Sequence, residues 1–151
     1  MKRKRKRYSI DLPAHMAECD ANYLRIMKLF PSLREKDISL FGVMIAGEAA
    51  EVSIEVLERN PYTTSIQLTQ LPEAPWGANP TIRVRIYHDA RSAEVVEYQR
   101  ARHFKAVYAY PNDSMRQRDE KVQVNRLLGE FLSYCLTHGV AVHERVLVTQ
   151  Q

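Results

Sequence analysis

Apolar and polar positions along the chain switch between two periods, and the switches divide it into elements. Met16, Cys19, Tyr23, Ile26, Met27 and Phe30 recur at spacings of three and four, the period of one helix face. Asp11 can accept from free backbone N–H groups and Pro13 loses no needed donor, so the spacing predicts a helix that starts here and stops at Pro31. The period then becomes two. A short apolar segment from Ser39 to Ala46 reads as a strand, and Gly47-Glu48 as its turn. From Ala50 to Glu58, Val52, Ile54 and Val56 alternate with Glu51, Ser53 and Glu55, the pattern of a half-buried antiparallel strand. Tyr62 to Gln70 places Tyr62, Thr64, Ile66 and Leu68 on one face, and Thr81 to His88 does the same with Ile82, Val84, Ile86 and His88. Ala93 to Tyr98 returns as a hairpin partner, and Arg102 to Tyr110 reads as a last strand. Val124, Leu127, Leu128, Phe131, Leu132, Cys135 and Leu136 then form the wide stripe of a long helix that ends at His138-Gly139.

This order predicts an α+β fold: a curved antiparallel sheet of about six strands, with the N-terminal helix and the long C-terminal helix packed on one face. A stretch from Leu71 to Pro80 holds three prolines, a glycine and Trp76, and suits a loop carrying a recognition element or a cover for a sheet edge. A single domain over residues 9–151, preceded by a basic disordered tail over 1–8, is consistent with 151 residues and an apolar fraction of 45%. Neither an apolar run long enough to span a bilayer nor a secretory leader is present, so a cytoplasmic protein without membrane contact is expected. Cys19 and Cys135 each lie on an apolar stripe and read as reduced core residues.

The charge balance changes the picture only when it is divided. The run Lys2, Arg3, Lys4, Arg5, Lys6 and Arg7 supplies six of the 22 basic residues, which leaves 16 against 18 acidic ones. The domain is near neutral. Nucleic acid binding is therefore argued from the tail, where a solvated arm is the competing reading. Arg83, Arg85, His103 and Lys105 offer a weaker basic surface on the sheet.

No phosphate loop, nucleophile elbow, HExxH or paired CxxC occurs, so the sequence calls for no cofactor. Three polar islands remain: Tyr87-His88-Asp89, Tyr108 to Asn112, and Gln117 to Lys121 at the opening of the last helix. His88 continues the inward row of its strand, and the helix that should cover that row begins with Arg118, Glu120 and Asn125. A pocket of His88, Asp89, Tyr108, Tyr110, Arg118, Glu120 and Asn125 follows from that phase, and with it a small binding or regulatory domain taking a protein or small-molecule ligand. Two other classes stay open: a hydrolase using His88, Asp89 and Glu120 as metal ligands or acid/base groups, and an RNA-associated protein held by its tail. The structural reading of the same residues is a helix N-terminus decorated with acids and a histidine bonded within the fold.

Several of these strings also resemble one family. Tyr87-His88-Asp89, Ala93-Glu94-Val95, Phe104-Lys105-Ala106, Tyr108 with Tyr110-Pro111-Asn112, and Gln117-Arg118-Asp119-Glu120-Lys121 are similar to the YqiB-like proteins of proteobacteria, a domain of unknown function. Asn125, Tyr134-Cys135-Leu136, His138-Gly139, Tyr62-Thr63-Thr64 and the Cys19, Asn22, Leu29 and Pro31 pattern fit as well. The resemblance runs from about Tyr8 to Gly139 and implies no activity. The longer basic tail and the extended end after Gly139 depart from it.

Overall fold

The computed structural model describes residues 11–45, 47–71, 81–99 and 118–145. Helix α1 spans Leu12–Leu29, and its N-cap Asp11 accepts from the Ala14 N–H at 3.1 Å. At the other end the Phe30 N–H closes on the Ile26 carbonyl at 2.8 Å. Cys19, Tyr23, Ile26 and Leu29 are buried as their spacing requires, but Met16 is 58% exposed and Asn22 is fully buried in the same stripe. The first turns of α1 therefore project beyond the core, and a polar side chain enters where the helix meets its neighbour.

The strands are β1 (Ile38–Ile45), β2 (Glu48–Arg59), β3 (Thr63–Leu71), β4 (Thr81–Tyr87) and β5 (Ser92–Gln99). Helix α2 (Arg118–His138) and strand β6 (Val140–Arg145) follow. All neighbouring strands are antiparallel, in the order β5-β4-β3-β2-β1-β6. Five of the six expected strands are present. The sixth strand of the described sheet is β6, in the extended end after Gly139, while the expected strand from Arg102 to Tyr110 lies outside the described residues. Register shifts at Leu40/Phe41, Val56/Glu58 and Arg83/Val84 mark irregularities of the kind that bend a sheet.

Alternation in β3 and β4 holds residue by residue: Thr64, Ile66 and Leu68, and Ile82, Val84 and Ile86, are buried, while Arg83 and Arg85 face outward. Tyr62 precedes its strand and is 68% exposed, so it does not share the buried row. Inward residues of β1 to β5 join Tyr23, Ile26 and Phe30 of α1 and its exit, and Val124, Leu128, Leu132 and Cys135 of α2, in one buried cluster. The α2 stripe is narrower than its composition suggests, since Leu127 and Leu136 are exposed. Arg59 fastens the α1–β1 turn, pairing with Asp37 at 2.8 Å and donating to the carbonyls of Leu33 and Lys36.

Candidate functional site: two polar clusters joined along α1

His88 follows β4 and enters the four-residue turn to β5. In phase with Ile86, it turns inward and is 8% exposed. Its backbone N–H donates to the Tyr62 carbonyl at 2.9 Å, and its Nε2 shares a hydrogen bond of 2.7 Å with the Thr64 hydroxyl. The ring of Tyr23 meets it edge to face, with centroids 6.4 Å apart. Nδ1 is buried without a partner. Burial, and then the Arg34 guanidinium, hold the His88 pKa below its ordinary value, while Asp89 pulls the other way. Asp89 itself is exposed and its carboxylate accepts from the Ala90 N–H at 3.0 Å.

One turn earlier on α1 a second cluster begins. Asn125 of α2 is fully buried and every polar atom of its side chain is used. Its Oδ1 accepts from the Val95 N–H at 2.9 Å and from the Cys19 thiol at 3.9 Å, and its Nδ2 donates to the Lys121 carbonyl at 2.7 Å. Because β5 is the outer strand of the described sheet, Asn125 occupies an edge donor that would otherwise be open. The Asn125 carbonyl in turn accepts from Asn22 Nδ2 at 3.0 Å, and Asn22 Oδ1 accepts from Arg25 at 2.7 Å. Arg25 also pairs with Glu18 at 3.2 Å. The chain of bonds runs from the edge of the sheet, between the helices, to the surface.

At that surface α1 and α2 border a groove of about 610 Å³. Glu18 and Arg25 line it from α1, and Arg126, Glu130, Ser133, Tyr134, Thr137 and His138 from α2. Gly129 of α2 lies against the side chains of Glu18, Asn22 and Arg25. A Cβ there would meet Glu18 Oε1 at 2.0 Å and the Arg25 guanidinium at 2.8 Å, so only a bare backbone lets this ion pair lie over α2.

The residues singled out from sequence are thus distributed rather than gathered. The recorded partners of His88 come from β3 and α1, those of Asn125 from β5, α1 and α2 itself, and the two clusters touch through Tyr23 and Asn22. Glu120 is 7% exposed in the first turn of α2, with Oε2 unpartnered. Arg118 opens the same helix. Tyr108 and Tyr110 lie outside the described residues, as do Lys2 to Arg7 and Trp76. Among the described residues no three or more His, Cys, Asp or Glu side chains gather as metal ligands, and His88, Asp89 and Glu120 are described. Arg83 pairs with Glu97 at 3.3 Å, and Arg85 stands opposite Glu94, so the outward sheet face is locally compensated. Burial raises both thiols to about 11. No helix among the described residues is long and apolar enough to cross a membrane.

Sequence reasoning overlooked Asn22, Gly129 and Thr64 as parts of polar sites. Asn22 carried a signal: it is three residues from Cys19 and four from Ile26, in phase with an apolar stripe.

The comparisons agree with the motif resemblance. Three curated relatives, the uncharacterized protein YqiB of Escherichia coli K12, O6:H1 and O157:H7, are each 38% identical over 135 residues, covering 89% of this chain and 94% of the relative. No solved structure matches. The family model for a protein of unknown function, DUF1249, matches residues 25–141, from the pinned Arg25 through α2 to the start of β6, and the chain belongs to that family.

Proposed function

We propose that this chain is a small binding or regulatory domain whose ligand lies in the groove between α1 and α2. The observation that carries the reading is the pre-positioned guanidinium of Arg25. Its Nη1 is held by Glu18 and Asn22, and Asn22 is fixed in turn by the buried carbonyl of Asn125. A long surface side chain ordinarily loses rotamer freedom when it engages a ligand; one held beforehand binds with less of that cost. The groove volume lies in the range of small-ligand sites, and side chains of both charges with three hydroxyl residues line it. In this reading Asn125, expected from sequence to touch the ligand, is a positioning residue behind Arg25.

A thermal-shift screen of the purified protein against amino acids, nucleotides, metals and short RNA tests it, because a ligand that binds only the native state raises the melting temperature. Arg126 and Glu130 are exposed groove residues, so the double variant Arg126→Ala/Glu130→Ala should fold normally and lose the shift of the active ligand. Gly129→Ala should lose it too with the fold kept, because a Cβ there displaces the side-chain ends of Glu18 and Arg25, which can swing aside, while alanine favours the helix. The reading fails if no class raises the melting temperature, or if every active ligand acts equally on the double variant.

A further inference from the structure

We propose that the groove between α1 and α2 takes a zwitterionic α-amino acid or short peptide, its carboxylate on Arg25 and Arg126 and its ammonium on Glu130; this rests on the reading of the groove as the ligand site. Both bonds that hold Arg25 leave from one nitrogen: Nη1 donates to Glu18 Oε1 at 3.2 Å and to Asn22 Oδ1 at 2.7 Å. The edge formed by Nε and Nη2 has no partner among the described residues. Along that edge a guanidinium presents parallel N–H donors, the fork that the oxygens of a carboxylate accept together. The Arg25 side chain is 27% exposed, so a bond made there is better shielded from water than one at a free surface.

The charges of the lining choose between classes of ligand. Among the described residues Arg25 and Arg126 stand against Glu18 and Glu130, so the groove carries both signs with no excess of either. A nucleotide phosphate or another polyanion would set uncompensated charge beside two carboxylates, whereas a molecule with one charge of each sign finds a partner for both. Arg126 and Glu130 are exposed and one turn apart on α2, yet no ion pair joins them. Arginine ahead of glutamate is the weaker order for such a pair, and both groups stay open to a ligand. Residues so placed have Cβ atoms about 5–6 Å apart, a gap that a carboxylate and the ammonium on its own α-carbon can span. One turn further along α2, Tyr134 and His138 line the same groove with ring centroids 4.7 Å apart. The Tyr134 hydroxyl donates to the Met44 carbonyl, which fixes that ring as an aromatic surface for the side chain of the ligand.

The test is a titration of the full chain with L-phenylalanine, 3-phenylpropionate, phenethylamine and AMP at neutral pH and equal ionic strength, followed by amide NMR shifts and melting temperature. Phenylalanine should move the amide signals of Gly129, Glu130 and Ser133 saturably and raise the melting temperature. Phenylpropionate, which lacks the ammonium, and phenethylamine, which lacks the carboxylate, should each bind on the order of tenfold more weakly, the effect of losing one charge-assisted contact. Glu130→Gln, at an exposed position, should weaken phenylalanine by the same factor and leave phenylpropionate unchanged, a split that a folding defect does not produce. Glycyl-phenylalanine separates the two sources of the ligand: tighter binding than phenylalanine assigns the groove to peptides, weaker binding to free amino acids. The proposal is overturned if phenylalanine leaves these amides unmoved, if either single-charge analogue binds as well, or if Glu130→Gln changes nothing. AMP, a metal or RNA moving the same amides in place of phenylalanine leaves the groove reading standing, whereas silence from every class removes both.

Discussion

An imidazole is inexpensive to bury while neutral and costly once protonated, and His88 sits where that difference is felt. Its neighbours are a hydroxyl, a phenol ring and the positive charge of Arg34, with Asp89 the opposing influence. Because its folded pKa lies below the unfolded value of about 6.5, the unfolded chain binds more protons in the interval between the two. Stability contributed by neutral His88 is therefore complete above about pH 6.5 and falls as pH drops toward the folded pKa. Urea midpoints measured at about pH 7.5 and 5.5 should differ, and His88→Gln should reduce the difference; an equal difference in the variant would assign the effect to other groups. The inward direction of His88 was legible from the period of its strand. The empty Nδ1 was not, since it depends on Tyr23 and Thr64 meeting the ring in space.

Helix α2 carries the same lesson one level up. Its buried stripe is Val124, Leu128, Leu132 and Cys135, and Leu128 has no exposed surface. Leu128→Asp should cost more than about 4 kcal/mol, enough to unfold a small domain, because an unpaired charge would enter the cluster shared by both helices and the sheet. A circular dichroism melt reads this directly, and an unchanged transition would mean that the stripe is not the core face. Leu127 and Leu136 extend the stripe in sequence yet stay exposed, because α2 gives one flank to the groove and to α1. Asn125→Ala should cost about 1–3 kcal/mol, since it strips the edge N–H of Val95 of its acceptor and leaves it buried. Strand β6 was missed because a short segment becomes a strand only where an open edge receives it, and that edge belongs to β1, far away in the chain.

At the scale of the whole molecule, the outward face of the described sheet carries its charge in pairs. Glu94 alone serves Tyr87 at 2.9 Å and Lys121 at 3.2 Å, and Glu97 serves Arg83. A polyanion would find little uncompensated charge on that face, so any salt-dependent RNA binding should reside in Lys2 to Arg7. Deleting residues 1–8 should leave the melting temperature within error and flatten the salt dependence of such binding; salt-sensitive binding of equal strength after the deletion would move the contact to the sheet face around Arg83 and Arg85. Composition and period carried the α+β class and five strands of the sheet, but no local string could carry the groove, whose two walls are helices from opposite ends of the sequence. Distance along the chain also has a consequence for how the protein is made. The bond that fixes Asn22 joins residues 103 apart, and Cys19 reaches Asn125 across 106. On the ribosome α1 emerges before the sheet, the β1–β5 meander can pair as it follows, and the buried edge of α1 stays unanswered until α2 has been synthesised. A helix made before the sheet is thus locked only after it.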